Sequence, residues 1–239
     1  MRRRSVMPAP ATVMGLALAL ACGITTPSLY AGGAPQSRME RKPGAEATVP
    51  PEAASQTILV LGDSLSAGYG LAPNTGWVAL LQQRLADKPL GKNHYTVVNS
   101  SISGDTTSGG RTRLPSALSR THPAVVIVEL GANDALRGLP MSVTRANLEA
   151  IIEASQAAGA RVVLVGMQIP PNYGPVYTQA FSSLFPMLAK QYHTSLVPFL
   201  LEGIADKPEM FQADQIHPLA KAQPVLLENV WAPLSPLLK

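Results

Sequence analysis

The chain has 239 residues, of which 46% are hydrophobic and 14% charged, and a formal net charge of +4. That length and apolar content are enough to bury one sizeable core, with no sign of a second domain or an internal repeat. Arg2, Arg3, Arg4, Arg38, Arg41 and Lys42 all precede Gln56, and from there on 13 Lys and Arg face 12 Asp and Glu. The excess charge therefore lies ahead of the expected domain, and nucleic-acid binding has no support.

Arg2-Arg3-Arg4, the largely apolar Val13–Ile24 and the small residues of Leu29-Tyr30-Ala31-Gly32 have the three-part form of a secretory signal. The apolar run of about a dozen residues is too short to span a bilayer. Residues 1–31 are therefore read as a signal peptide cleaved near Ala31, with export to the periplasm or medium. The single cysteine, Cys22, lies inside that run, so the cleaved protein has neither thiol nor disulfide. Ala19-Leu20-Ala21-Cys22 loosely resembles a lipoprotein signal, which makes anchoring at Cys22 the alternative. Residues 32–55, rich in Pro, Ala and Gly and without apolar period, read as a disordered linker, and the domain is expected over 56–239.

Thr57–Leu61 is an apolar strand signal running into Gly62-Asp63-Ser64-Leu65. A strand stopping there presents Ser64 at the carboxyl edge of a parallel sheet, where open α/β folds bind ligands, so Ser64 is a candidate nucleophile. Further strands are expected at Tyr95–Asn99, Ala124–Leu130, Arg161–Gln168 and Ser195–Pro198, with helices at Gly76–Ala86, Thr107–Ser119, Val143–Ala158, Tyr177–Gln191 and from Leu219 onward. Strict alternation predicts right-handed crossovers, hence a three-layer α/β/α sandwich around a flavodoxin-like, five-stranded parallel sheet. Ser142 is expected to cap the helix that starts at Val143, and Gly159 to end it.

Two other strand ends carry small and polar residues, Ser100-Ser101-Ile102-Ser103-Gly104-Asp105 and Gly131-Ala132-Asn133-Asp134. Gly104 lets backbone approach a substrate and Asn133 offers an amide, both suited to an oxyanion. After the fourth strand, the Pro- and Gly-containing Ile169–Pro175 should overhang the site, with Tyr173 and Tyr177 lining an acyl or aryl pocket. Near the far end, Asp214-Gln215-Ile216-His217 places a carboxylate and an imidazole three residues apart, on one face of a helical or turn-like segment. Asp214 can then hold one ring nitrogen while the other points at Ser64. Asp63 reads as a structural hydrogen-bonding group and Glu129 as an acceptor behind the site, while His94, His122 and His193 sit at element edges.

Gly62-Asp63-Ser64-Leu65, Gly104, Gly131-Ala132-Asn133-Asp134 and Asp214-Gln215-Ile216-His217 resemble the four blocks of the SGNH (GDSL) hydrolases, in order and over roughly Thr57 to Leu238. The flanks Ile102–Thr106, Val128–Gly138, Asn172-Tyr173-Gly174 and Ala222-Gln223-Pro224 are similar to the bacterial thioesterase I, arylesterase and lysophospholipase subgroup. The resemblance implies Ser64 as nucleophile, His217 as general base and then acid, and Asp214 as its orienter. It implies an oxyanion hole of the Ser64 and Gly104 N–H groups with the Asn133 amide, and contact of Asn172-Tyr173-Gly174 with an acyl chain. Thr107–Arg111 is more glycine-rich than the family pattern suggests.

No His, Cys, Asp and Glu cluster has metal-ligand spacing, and Gly68–Pro73 forms no dinucleotide fingerprint, so no metal or cofactor is expected. The expectation is an exported serine esterase and thioesterase for small esters, thioesters and lysophospholipids, monomeric, with transient lipid or membrane contact. The alternatives are a carbohydrate O-deacetylase and a non-catalytic binding module of the same fold.

Overall fold

Short Val, Ile and Leu runs suit a strand buried on both faces, and five of them pair here. The computed structural model describes residues 55–87 and 94–238. Its strands are β1 (Ser55–Gly62), β2 (His94–Asn99), β3 (Val125–Glu129), β4 (Arg161–Val165) and β5 (Ser195–Val197), in the sheet order β2-β1-β3-β4-β5. All four pairings are parallel. The expected signal peptide, Cys22 and nearly all of the linker lie outside the described residues; Ser55, the linker's last residue, opens β1.

The helices are α1 (Ser64–Ala67), α2 (Trp77–Asp87), α3 (Thr107–Thr121), α4 (Ala132–Leu136), α5 (Met141–Ala157), α6 (Pro175–Tyr192) and α7 (Gln223–Leu234). α5 packs on α3 and α6, and α2 packs on α7, covering the two faces of the sheet as in a three-layer sandwich. Ile58–Leu61, Val125–Val128 and Leu164–Val165 have no exposed surface, so the centre of the sheet is the core.

The order changes direction between β1 and β3, where Gly62 pairs in register with Glu129. At such a switch point the connections leave to opposite faces and a crevice opens at the carboxyl ends of the strands. The segments carrying Ser64 and Asn133 both leave from that point.

Several boundaries differ from the sequence reading. α5 starts at Met141 with Pro140 as its cap residue, so Ser142 lies inside the first turn and caps nothing. The Pro140 carbonyl takes the Val143 N–H at 2.9 Å, which starts the helix without a side-chain cap. Its end is as expected: Gly159, at φ +83, donates to Gln156 O and Ala160 donates to Ser155 O, the paired bonds of a Schellman end. β4 stops at Val165, three residues early; Gly166 still donates to Val197 O at 2.8 Å, and its own carbonyl accepts from Leu200 N at 3.0 Å, where the chain has already left β5. The last helix begins as a 3-10 turn, Ala220–Ala222, before α7. α1 and α4, which the sequence reading did not mark as helices, are short helices that follow β1 and β3.

Candidate active site

The turn after β1 is built around a close approach. A Cβ on Gly62 would lie 2.7 Å from Ser66 Cβ and 2.9 Å from Glu129 Oε2, so only glycine fits beneath α1. Asp63 caps that helix, its Oδ1 accepting the Leu65 N–H at 3.0 Å. Ser64 is then the first helical residue, whose N–H an α-helix leaves without an internal acceptor. Glu129 anchors the turn from β3: its Oε2 accepts from Ser66 Oγ at 2.7 Å and from Asp63 N at 3.3 Å.

Burial governs both carboxyls. It raises the Glu129 carboxyl well above the usual range, and the nearby Asp63 charge adds to that. It pushes Asp63 up to about 6, against the opposing pull of the Leu65 N–H, Glu129, Asn133 and His217. Burial thus disfavours the charged form of Glu129, while Asp63 is ionised only above mildly acidic pH.

The imidazole arrives on a turn, not a helix. Phe211 and Pro218 form an antiparallel bridge, and Gln212 N donates to His217 O at 2.8 Å, closing the segment between them. Asp214 Oδ1 accepts the Ile216 and His217 N–H groups at 2.9 and 3.0 Å, and Gln215 takes the left-handed conformation, φ +57, that the turn requires. Asp214 Oδ2 lies 2.7 Å from His217 Nδ1, and His217 Nε2 lies 2.9 Å from Ser64 Oγ. The His217 side chain, with those two backbone N–H groups, holds the Asp214 carboxyl down at about 2, so it is ionised at neutral pH. An ionised acceptor at Nδ1 requires the proton on that nitrogen, which leaves Nε2 free to accept from the serine hydroxyl.

Asn133 stands in α4, where Nδ2 donates to Asp63 Oδ2 at 3.0 Å. That bond turns the amide's donor side toward the Ser64 turn and leaves its second N–H available. Gly104 is the third residue of a turn closed by Asp105 N donating to Ile102 O at 3.0 Å, with φ +78, where an L side chain would be strained. Ser64, Gly104 and Asn133 thus come from the three segments that follow β1, β2 and β3 at one edge of the sheet.

Asn172, Tyr173 and Gly174 lie in and just after a 3-10 turn, Pro171–Tyr173, that leads into α6. The Tyr173 hydroxyl donates to Leu136 O at 3.1 Å and the Tyr177 hydroxyl to Leu139 O at 3.0 Å, so both tie this loop to the segment that follows Asn133. Asn172 is exposed and makes no side-chain hydrogen bond within the described residues. His94, His122 and His193 are exposed, the last two as left-handed caps ending α3 and α6.

Two contacts escaped the sequence reading. The Tyr69 ring packs against the His217 ring at 4.6 Å between centroids, and Arg113 bridges the two loops that carry Ser64 and Gly104. Tyr69 follows α1 in a glycine-flanked turn with no periodicity to mark it, and Arg113 lies on an ordinary helix.

The GDSL-like lipase/acylhydrolase family matches residues 60–223. Esterase TesA of Pseudomonas aeruginosa is 54% identical over 187 residues, covering 78% of this chain and 92% of that protein. Thioesterase 1/protease 1/lysophospholipase L1 of Escherichia coli K12 is 43% identical over 185 residues, covering 77% and 86%. Among solved structures, the psychrotrophic esterase EstA of a Pseudoalteromonas species, inhibited by monoethylphosphonate, is 40% identical with a TM-score of 0.71, covering 76% of this chain and 97% of its own. The chain belongs to the GDSL-like lipase/acylhydrolase family, in the thioesterase I subgroup of SGNH hydrolases.

Proposed function

We propose that the chain is an exported serine hydrolase of acyl esters and thioesters, working through an acyl-enzyme on Ser64. The observation that carries this reading is the Asp214–His217–Ser64 relay, with 2.7 Å on one side of the imidazole and 2.9 Å on the other. Ser64 Oγ attacks the acyl carbon as its proton passes to His217 Nε2, and Asp214 stabilises the imidazolium that results. The carbonyl oxygen becomes an oxyanion, received by the Ser64 and Gly104 N–H groups and the Asn133 amide. Collapse expels the thiolate or alkoxide, which takes the proton from His217, and leaves the acyl group on Ser64. Water then attacks the acyl carbon as it gives a proton to His217 Nε2; the bond to Ser64 Oγ breaks, the imidazolium returns that proton to the serine oxygen, and the carboxylic acid leaves.

An apolar acyl or aryl group is supported by the rim. Of the large hydrophobic side chains exposed among the described residues, Tyr69, Ile102, Tyr173, Val176 and Ile216 belong to the segments that carry the site. Such exposed apolar side chains suit either a hydrophobic substrate group or transient contact with a lipid aggregate. The names of the relatives, an esterase and a thioesterase with lysophospholipase activity, support the same substrate classes.

Labelling with a fluorophosphonate, followed by peptide mass spectrometry, tests the mechanism, with Ser64 as the expected site. Absence of labelling beside a reactive control enzyme would remove the hydrolase reading. A nitrophenyl ester series run beside acyl-CoAs and a lysophospholipid then separates the substrate classes, and activity confined to acetyl esters would return the O-deacetylase alternative. Export is read from the N-terminus of the mature protein in cell fractions, expected just after Ala31.

A further inference from the structure

A ring of hydrogen bonds joins the Ser64 turn to the Gly104 turn, and it closes through one guanidinium. The Gly62 carbonyl, two residues ahead of Ser64, accepts the Ile102 N–H at 3.0 Å. The Ile102 carbonyl accepts the Asp105 N–H, closing the turn that contains Gly104. Asp105 Oδ2 accepts from Arg113 Nε at 2.8 Å, and Arg113 Nη2 returns to the Gly62 carbonyl at 3.1 Å. Arg113 Nη1 donates in addition to the Ser100 carbonyl, where the chain leaves β2.

We propose that Arg113 is a positioning residue that sets the separation between the two backbone donors of the oxyanion hole. The proposal rests on the reading of Ser64 and Gly104 given above. Those donors stand on loops from different strands, and they are useful only if both lie near hydrogen-bonding distance of the oxygen that becomes charged. A planar guanidinium is suited to hold them, because its donors leave at fixed angles and it cannot lose its charge. Here it reaches carbonyls of both loops and the carboxylate next to Gly104. The Arg113 and Asp105 side chains are 21% and 13% exposed, so water screens the pair less than it would at the surface. Arg137 adds a second brace, its Nη2 donating to the Gly104 carbonyl at 2.7 Å from the end of α4.

The same arrangement accounts for Gly109 in the first turn of α3. A Cβ on Gly109 would lie 1.9 Å from Asp105 Oδ1, so a side chain there would displace the carboxylate from Arg113. An Asp side chain can rotate away at small cost to the fold, which separates positioning from stability.

The test uses R113M, R113K, D105N and G109A in the full-length protein, measuring kcat, KM, the unfolding midpoint and inhibition by a product carboxylate. R113M is expected to lower kcat by roughly 10- to 100-fold with KM and carboxylate inhibition within about twofold, the signature of misplaced transition-state donors. R113K should recover a small part of the loss, since an ammonium cannot span three acceptors. G109A should lower kcat several-fold while its unfolding midpoint stays near that of the wild type. Variants that melt earlier yet keep full kcat well below their midpoints would overturn the positioning role. So would a loss confined to KM. Labelling of the wild type by a fluorophosphonate with undiminished kcat in all four variants overturns this inference alone, whereas a wild type that does not label overturns the hydrolase reading beneath it.

Discussion

The turn that carries Ser64 and the loop that carries His217 are held in opposite ways. Around Ser64 the supports are buried and distant in sequence: Glu129 reaches it from β3, Asn133 from α4, and Asp63 has 1% of its surface exposed. Around His217 they are local and open to water: Asp214 accepts from the two residues that follow Gln215, and its side chain is 38% exposed. In the proposed mechanism Ser64 and the oxyanion donors have to be placed against a charge that appears only in the transition state, and that favours a rigid sheet edge. The imidazole needs one correct nitrogen at one distance, and a short turn with its own carboxylate supplies that.

The hardest test of the contrast removes the reacting groups themselves. S64A and H217A are each expected to lower kcat by at least about 10³-fold without unfolding the protein, because triad members act as a unit. D214A should cost less, since the base survives without its orienter. Steady-state kinetics beside thermal melts checks all three; wild-type turnover in S64A would remove Ser64 from the chemistry.

Next in size is the buried side's own donor. N133A is expected to reduce kcat by about 10²–10³-fold with KM nearly unchanged. A change in KM alone would make Asn133 a ground-state binding group and weaken the argument for a rigid nucleophile side.

The loop tied to α4 by Tyr173 and Tyr177 should affect substrate choice more than chemistry. Shortening Pro171–Pro175 is expected to depress turnover of octanoyl and longer esters while acetyl and butyryl esters keep most of theirs, since each buried CH₂ is worth about 0.8 kcal/mol. A chain-length series decides it. An equal fall at every length would mean that the loop supports the catalytic residues, in keeping with its hydroxyl bonds to Leu136 and Leu139.

The smallest effects sharpen the comparison most, because the two aspartates should respond to pH with opposite sign. Asp63 has a raised pKa, about 6 against 3.8, so its contribution to stability is present below pH 3.8 and is lost as pH rises through 6. Asp214 has a lowered one, about 2, so its contribution is present above 3.8 and is lost as pH falls toward 2. D63N should therefore gain stability relative to the wild type between pH 4 and 7, while the deficit of D214N should shrink between pH 4 and 2. Denaturant unfolding at a series of pH values measures both differences. Curves that stay parallel to the wild type would show that burial does not distinguish the two carboxyls.

The number and places of the strands, the layered architecture and the polar residues at the strand ends were legible because each depends on local pattern. Val125–Glu129 is apolar up to its last residue, and Asp-x-x-His places its own two side chains together. The ends of elements were less legible, since Pro140 starts α5 through a backbone bond that residue spacing does not encode. The glycines of Thr107–Arg111 were unexplained in sequence, because their reasons are distant side chains: the Asp105 carboxylate folded back against Gly109 and Leu130 packed against Gly110.

What the sequence by itself determined is the inventory: a serine at a strand end, a carboxylate–imidazole pair three residues apart, small residues at two further strand ends, and enough apolar surface to bury the sheet between them. Tertiary structure decided that His217 Nε2 meets Ser64 Oγ across 153 residues. It also decided that Asp63 and Glu129 are dry while Asp214 is not, and that Arg113 bonds both the Gly62 carbonyl and the Asp105 carboxylate. The physical reason is range. Periodicity and spacing act within a few residues, whereas desolvation and the closing of hydrogen-bond rings depend on which distant segments the folded sheet brings to its edge.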